Sequence, residues 1–119
     1  MSRRRPAFCG IAIALLAACG DSSSGGQCPS DLPAACPSAA PSYQSDIAPI
    51  IQSRCLACHG PGGVEYSRPL DTYSAVYSQR SPVLNQVYGC LMPPVGAPAP
   101  TEAERQLLLA WLVCKAPNN

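Results

Sequence analysis

Residues 1–41 of this 119-residue chain offer no stretch that could close a water-soluble core, so whatever folds must be built from residues 42–119. The chain starts with a basic cluster, Arg3, Arg4 and Arg5, followed by an apolar run from Ala7 to Ala18 that is too short to span a bilayer as a stable helix. This is the pattern of an export signal over residues 1–18. The next part, "GDSSSGGQCPSDLPAACPSAAPS", is mostly Ser, Gly, Pro and Ala, with almost no large apolar side chain. It cannot bury enough area to offset the ordering of its backbone, so a disordered tether is expected over 19–41. A core drawn from 42–119 alone is small, and such cores usually need staples.

The export signal ends "LLAAC", with Leu16 three positions before Cys19. This resembles the lipobox of bacterial lipoproteins, and the resemblance implies lipidation at Cys19 and attachment to a membrane on the periplasmic side of the cell envelope. Plain secretion or an uncleaved anchor is the other reading. In such an oxidising compartment paired cysteines become disulfides. Of the 8 cysteines, Cys9 belongs to the signal and Cys19 to the lipid site, leaving Cys28, Cys36, Cys55, Cys58, Cys90 and Cys114. Counting does not decide connectivity. Chain order favours Cys28 with Cys36 inside the tether, and Cys90 with Cys114 inside the domain.

The domain reads as all-helical. "SYQSDIAPIIQSRC" repeats apolar positions at helical spacing after Ser42, an available N-cap, and Pro49 should kink or restart that helix. "GPGGVEYSRPL" is a loop, and "DTYSAVYSQ" and "SPVLNQVYG" each suit a short helix. Pro93, Pro94, Pro98 and Pro100 make "CLMPPVGAPAP" a stiff extended loop. "TEAERQLLLAWLVCK" opens with Thr101 and Glu104 at capping-box spacing, and Leu107, Leu108, Trp111, Leu112 and Cys114 form its apolar face. Nothing alternates as a strand would.

Within "CLACHG" stand two cysteines three apart and the only histidine, His59. Four readings compete: covalent haem, a partial zinc site, a redox dithiol, and chance. Haem c needs two thiols to add across two vinyl groups and an imidazole beneath the iron, and Cys55, Cys58 and His59 meet that pattern. A structural zinc site needs four ligands, and no second Cys or His pair stands close by. A thioredoxin-like dithiol expects a strand–helix context that is absent here. With His59 on one face of the iron, Met92 is the one methionine besides Met1 that could take the other, from within the stiff "LMPPVG" loop.

"RCLACHG", "MPP" and "ERQLLLAWLVCKAPN" together resemble a small single-haem class I cytochrome c domain, of the type carried by bacterial lipoproteins, over roughly residues 43–117. The resemblance implies three to five helices around one covalently bound haem c. It also implies thioethers from Cys55 and Cys58, His59 as proximal ligand and Met92 as distal ligand, with the last helix crossing the one that leads into the haem motif near Trp111. Cys90 and Cys114 lie outside the basic family pattern. A bond between them would tie the Met92 loop to the last helix and add about 3 kcal/mol on loop-entropy grounds.

With both axial positions filled by protein, no substrate is expected at the iron, and the function expected is one-electron transfer by a tethered periplasmic carrier. Its partners would be membrane-bound or periplasmic redox proteins. A small peroxidase-like or gas-binding haem protein with an open distal site is the enzyme alternative, and a non-catalytic haem accessory subunit is a third. After residue 18 there are five basic side chains against seven acidic ones and no basic patch with interleaved aromatics, so nucleic acid is not an expected partner. Asp71 and Glu65 read as solvated loop acids. Arg54, Arg68 and Arg80 are candidates to meet the haem propionates, and Tyr66, Tyr73, Tyr77 and Tyr88 read as core or haem-wall residues.

Overall fold

The computed structural model describes residues 28–119; the segment 1–18 expected to be an export signal and Cys19, the expected lipid site, lie outside them. Among the described residues the protein is helical and contains no strand. A π-helical turn, Tyr43–Ile47, leads into α1 (Ala48–Arg54), and α2 (Leu56–His59), α3 (Tyr73–Ser78), α4 (Arg80–Tyr88) and α5 (Glu102–Val113) follow.

The first helix divides where Pro49 requires it. Proline has no N–H to donate, and in a continuous α-helix its ring would strike the carbonyl four residues back. The chain widens instead: the Ile47 N–H reaches back to Ser42 O at 3.1 Å, and Ala48 and Pro49 then open α1 at positions where a proline is tolerated. Ser42 caps the turn, its Oγ accepting from Ser45 N while the Asp46 carboxylate accepts from Ser42 N at 2.7 Å. The capping box of α5 is complete, with Glu104 N donating to Thr101 Oγ1 and Thr101 N donating to Glu104 Oε2.

Helix α5 carries the core. Leu108, Leu109, Trp111 and Leu112 are buried against Ile47, Ile51, Leu70, Val76 and Val87. Burying each such side chain contributes roughly 1.5–3 kcal/mol. Leu107, expected on the apolar face, is partly exposed, and Leu109 takes its place in the core. Trp111 packs on Tyr43 with ring centroids 5.6 Å apart and donates its indole N–H to Pro117 O. Arg54 at the end of α1 makes two hydrogen bonds to Glu104, at 2.9 and 3.1 Å. Of the four tyrosines read as core or haem-wall residues, Tyr66 and Tyr77 are exposed, while Tyr73 and Tyr88 pack against the core.

The disulfides differ from the pairing that chain order favours. Cys28 is bonded to Cys90 and Cys36 to Cys114, with Cα separations of 5.7 and 4.7 Å. Helix length explains the difference. Arg105, in the first turn of α5, donates to the carbonyls of Val87 and Tyr88, so Cys90 lies at the start of α5 while Cys114 caps its end. The nine residues from Arg105 to Cys114 span about 13 Å of helix, beyond the roughly 7 Å that a disulfide bridges. Cys28 and Cys36 sit at these two opposite ends and therefore do not meet each other.

Residues 28–41, read from sequence as part of the tether, form a non-helical strap along α5. Between its two disulfides Asp31 accepts from Arg105 at 2.7 and 2.9 Å and from Gln106 at 3.0 Å. The strap's one large apolar side chain, Leu32, is itself exposed, so covalent bonds and an ion pair hold the strap where apolar burial does not. Each disulfide closes a long loop, with sequence separations of 62 and 78, and loops of that length correspond to about 4 kcal/mol of unfolded-state entropy each.

Non-reducing peptide mapping should recover Cys28 linked to Cys90 and Cys36 linked to Cys114, and reduction should lower the unfolding free energy by about 2–5 kcal/mol for each bond opened. The hydrogen bonds from Arg105 hold the Asp31 carboxyl below its ordinary value despite some burial. A carboxylate with a lowered folded-state pKa stabilises the fold above its unfolded pKa, and that contribution is lost as the pH falls through the folded one. Thermal melting between roughly pH 5 and pH 2 should therefore fall more steeply for the parent protein than for Asp31→Asn.

Candidate functional site

Between α1–α2, the loop after α2, α4 and the Met92 loop lies a cleft of about 440 Å³, within the range of small-molecule and cofactor sites. Its floor is the core itself: Ile51, Leu70, Val76, Val87 and Leu108 line it. Cys55, Cys58, His59 and Met92 also line it, so the four residues singled out in the sequence share one cavity.

The cysteines come from the break between α1 and α2. Cys55 closes α1, its N–H donating to Ile51 O at 2.8 Å, and its own carbonyl accepts from Cys58 N and His59 N to start the next turn. One turn thus carries Cys55, Cys58 and His59. Both thiols are free, in contrast with the four cysteines engaged in disulfides.

His59 is oriented by the loop that follows it. Its Nδ1 lies 2.8 Å from Arg68 O. A carbonyl oxygen only accepts, so Nδ1 carries the proton and Nε2 keeps its lone pair, the tautomer in which Nε2 can bind a metal. The loop is pinned against α2 by Glu65 N to Cys58 O at 2.9 Å and Leu70 N to His59 O at 3.0 Å. Gly63 makes this approach possible, because a Cβ there would collide with the Cys58 carbonyl. Sequence reading identified the loop without assigning this part to Gly63 or to the Arg68 carbonyl.

On the facing wall Met92 follows the end of α4. Its N–H and that of Leu91 both donate to Gln86 O, at 3.1 and 2.9 Å. Cys90 adopts a left-handed conformation, φ 56°, and its N–H donates to Val87 O. Together these bonds form a Schellman helix end with cysteine at the position that usually takes glycine. Of the three candidate arginines, Arg54 and Arg68 line the cleft, whereas Arg80 stacks on Tyr77 at 4.1 Å and donates to Tyr77 O. Arg54 is engaged by Glu104, while Arg68 is exposed and only loosely paired with Glu65 at 3.8 Å.

The chemistry of these donors is selective. Burial first, and then the neighbouring Cys58, push the Cys55 thiol up to about 11, so it is protonated at neutral pH. A redox dithiol works through a lowered thiolate pKa, the opposite condition. Among the described residues no three His, Cys, Asp or Glu side chains converge, so the donor set of a four-coordinate zinc site is not assembled there. A paired thiol, one imidazole with a free Nε2 and one thioether, set around an apolar cleft, match the needs of a large planar group held covalently at its edge and axially at its centre. No protein family, curated protein or solved structure matches the chain.

Proposed function

We propose that the protein is a small c-type cytochrome, a one-electron carrier tethered on the periplasmic side of the cell envelope, with haem c seated in the cleft. The observation that carries this reading is the set of Cys55, Cys58, His59 and Met92 around one apolar cavity, with His59 Nδ1 engaged by Arg68 O so that Nε2 is the nitrogen left for iron. When bound, haem c would supply reversible one-electron transfer.

The chain's own residues do the rest. Cys55 and Cys58 would hold the group through thioethers, and the Arg68 carbonyl would fix the imidazole plane and raise its basicity as a ligand. Met92 would hold the iron from the facing wall through its thioether, a donor that favours the reduced state. Ile51, Leu70, Val76 and Leu108 exclude water from the inner wall. Arg68 is the cation best placed to meet a carboxylate at the mouth. The "LLAAC" resemblance supports a lipid at Cys19, which would raise the local concentration of the carrier for membrane-bound redox partners.

The test is the spectrum of protein produced with haem-attachment machinery. The parent should be low-spin when ferric and show the weak red band of thioether ligation, and Met92→Ala should abolish that band. Cys55→Ser with Cys58→Ser should leave haem extractable by acidified solvent. A high-spin parent spectrum indifferent to Met92→Ala would overturn electron transfer in favour of the open-site, peroxidase-like or gas-binding alternative.

A further inference from the structure

Helix α4 ends in a set of carbonyls with unusual partners. Gln86 O accepts from Leu91 N and Met92 N, while Val87 O and Tyr88 O accept from the Arg105 guanidinium as well as from local backbone at Val87. Arg105 lies in the first turn of α5, where a cation is poorly placed for that helix's own dipole. It is well placed at the C-terminal end of α4, whose exposed carbonyls favour positive charge. Asp31 of the strap holds the other edge of the guanidinium, and the two side chains are only 14% and 16% exposed. The same strap bonds through Cys28 to Cys90, two residues before Met92.

We infer that Arg105, clamped by Asp31, is a positioning residue for Met92: it fixes the end of α4 from which the Met92 thioether is presented to the cleft. This rests on the haem reading above and adds to it a residue distant from the cavity, since Arg105 is not among the cleft-lining side chains. The physical route is short. Without Arg105 the carbonyls of Val87 and Tyr88 turn to water, the last turn of α4 frays, and the Gln86 carbonyl that anchors the Met92 N–H goes with it. Asp31 keeps the guanidinium in place by two parallel hydrogen bonds, a geometry that lysine cannot reproduce.

The experiment is capture of added imidazole by the ferric, haem-loaded full-length protein, read as displacement of the red thioether band, for the parent, Arg105→Gln, Asp31→Asn and Tyr73→Phe. Tyr73 donates to Ala116 O and packs on Tyr43, so its variant perturbs the same core without touching α4's end. Arg105→Gln should capture imidazole about tenfold or more tightly than the parent, and Asp31→Asn should move the same way by less, in keeping with the loss of charged hydrogen bonds. Tyr73→Phe should lower the melting temperature without changing capture. Equal capture by the parent and Asp31→Asn, together with equal capture by any folded Arg105→Gln, would overturn the inference. So would an increase in Tyr73→Phe as large as in Arg105→Gln, because the effect would then be general loosening. A parent without a Met92-dependent band would remove the ligation reading itself, and this inference with it.

Discussion

Helix α5 is held by charge and hydrogen bonds at its start, by covalent bonding at its end and by apolar packing along one side, and the remaining elements take their positions from it. Its first turn receives Arg54 from α1 through Glu104 and sends Arg105 to the end of α4. Its middle buries Leu108, Leu109, Trp111 and Leu112, and Tyr43 of the π-helical turn stacks on Trp111. Its last residues carry the disulfide to Cys36 and, just beyond, the Ala116 carbonyl that accepts from Tyr73 of α3. Removing this helix would leave short segments, none long enough to be stable alone in water.

The strap resolves a difficulty that comes with size. A chain this short that devotes part of its core wall to a cleft has less apolar surface left for closing on itself. The two disulfides and the Asp31–Arg105 pair add constraint without needing side-chain volume, and they act at helix ends. Both α4 and α5 finish with a left-handed non-glycine residue, Cys90 at φ 56° and Lys115 at φ 65°. Such conformations cost about 1–2 kcal/mol each for residues with a Cβ. Cys90 is held there by its bond to Cys28, and Lys115 directly follows the bonded Cys114.

Much of the local structure was legible from residue order. Ser42 and Thr101 with Glu104 announced two helix starts, and Pro49 announced the break before α1, because caps and proline effects act within four residues. The convergence of Cys55, Cys58 and His59 was equally local, since one helical turn carries all three. Leu107 was placed on the apolar face and Leu109 left off it: both flank a broad apolar stripe, and packing puts Leu109 in the core while Leu107 lies on the side of α5 that faces the strap and stays partly exposed. Tyr66 was likewise read as a core or haem-wall residue from its type alone, whereas it stands exposed in the loop after α2. One signal for Arg105 was present in the sequence, a cation in the first turn of a helix, opposed to the dipole and therefore seeking an outside partner.

The sequence by itself determined the helical class, the helix starts and the thiol–imidazole motif, because each depends on near neighbours and on backbone geometry that short-range sterics impose. The tertiary structure alone decided which cysteines pair, that residues 28–41 lie along α5, and that Met92 shares a cavity with His59. Cysteines are chemically identical to one another, so the choice among partners is made by Cα distance. That distance is set by how α4 and α5 pack, with Cys90 at one end of α5 and Cys114 at the other, across sequence separations of 62 and 78 that no local pattern spans.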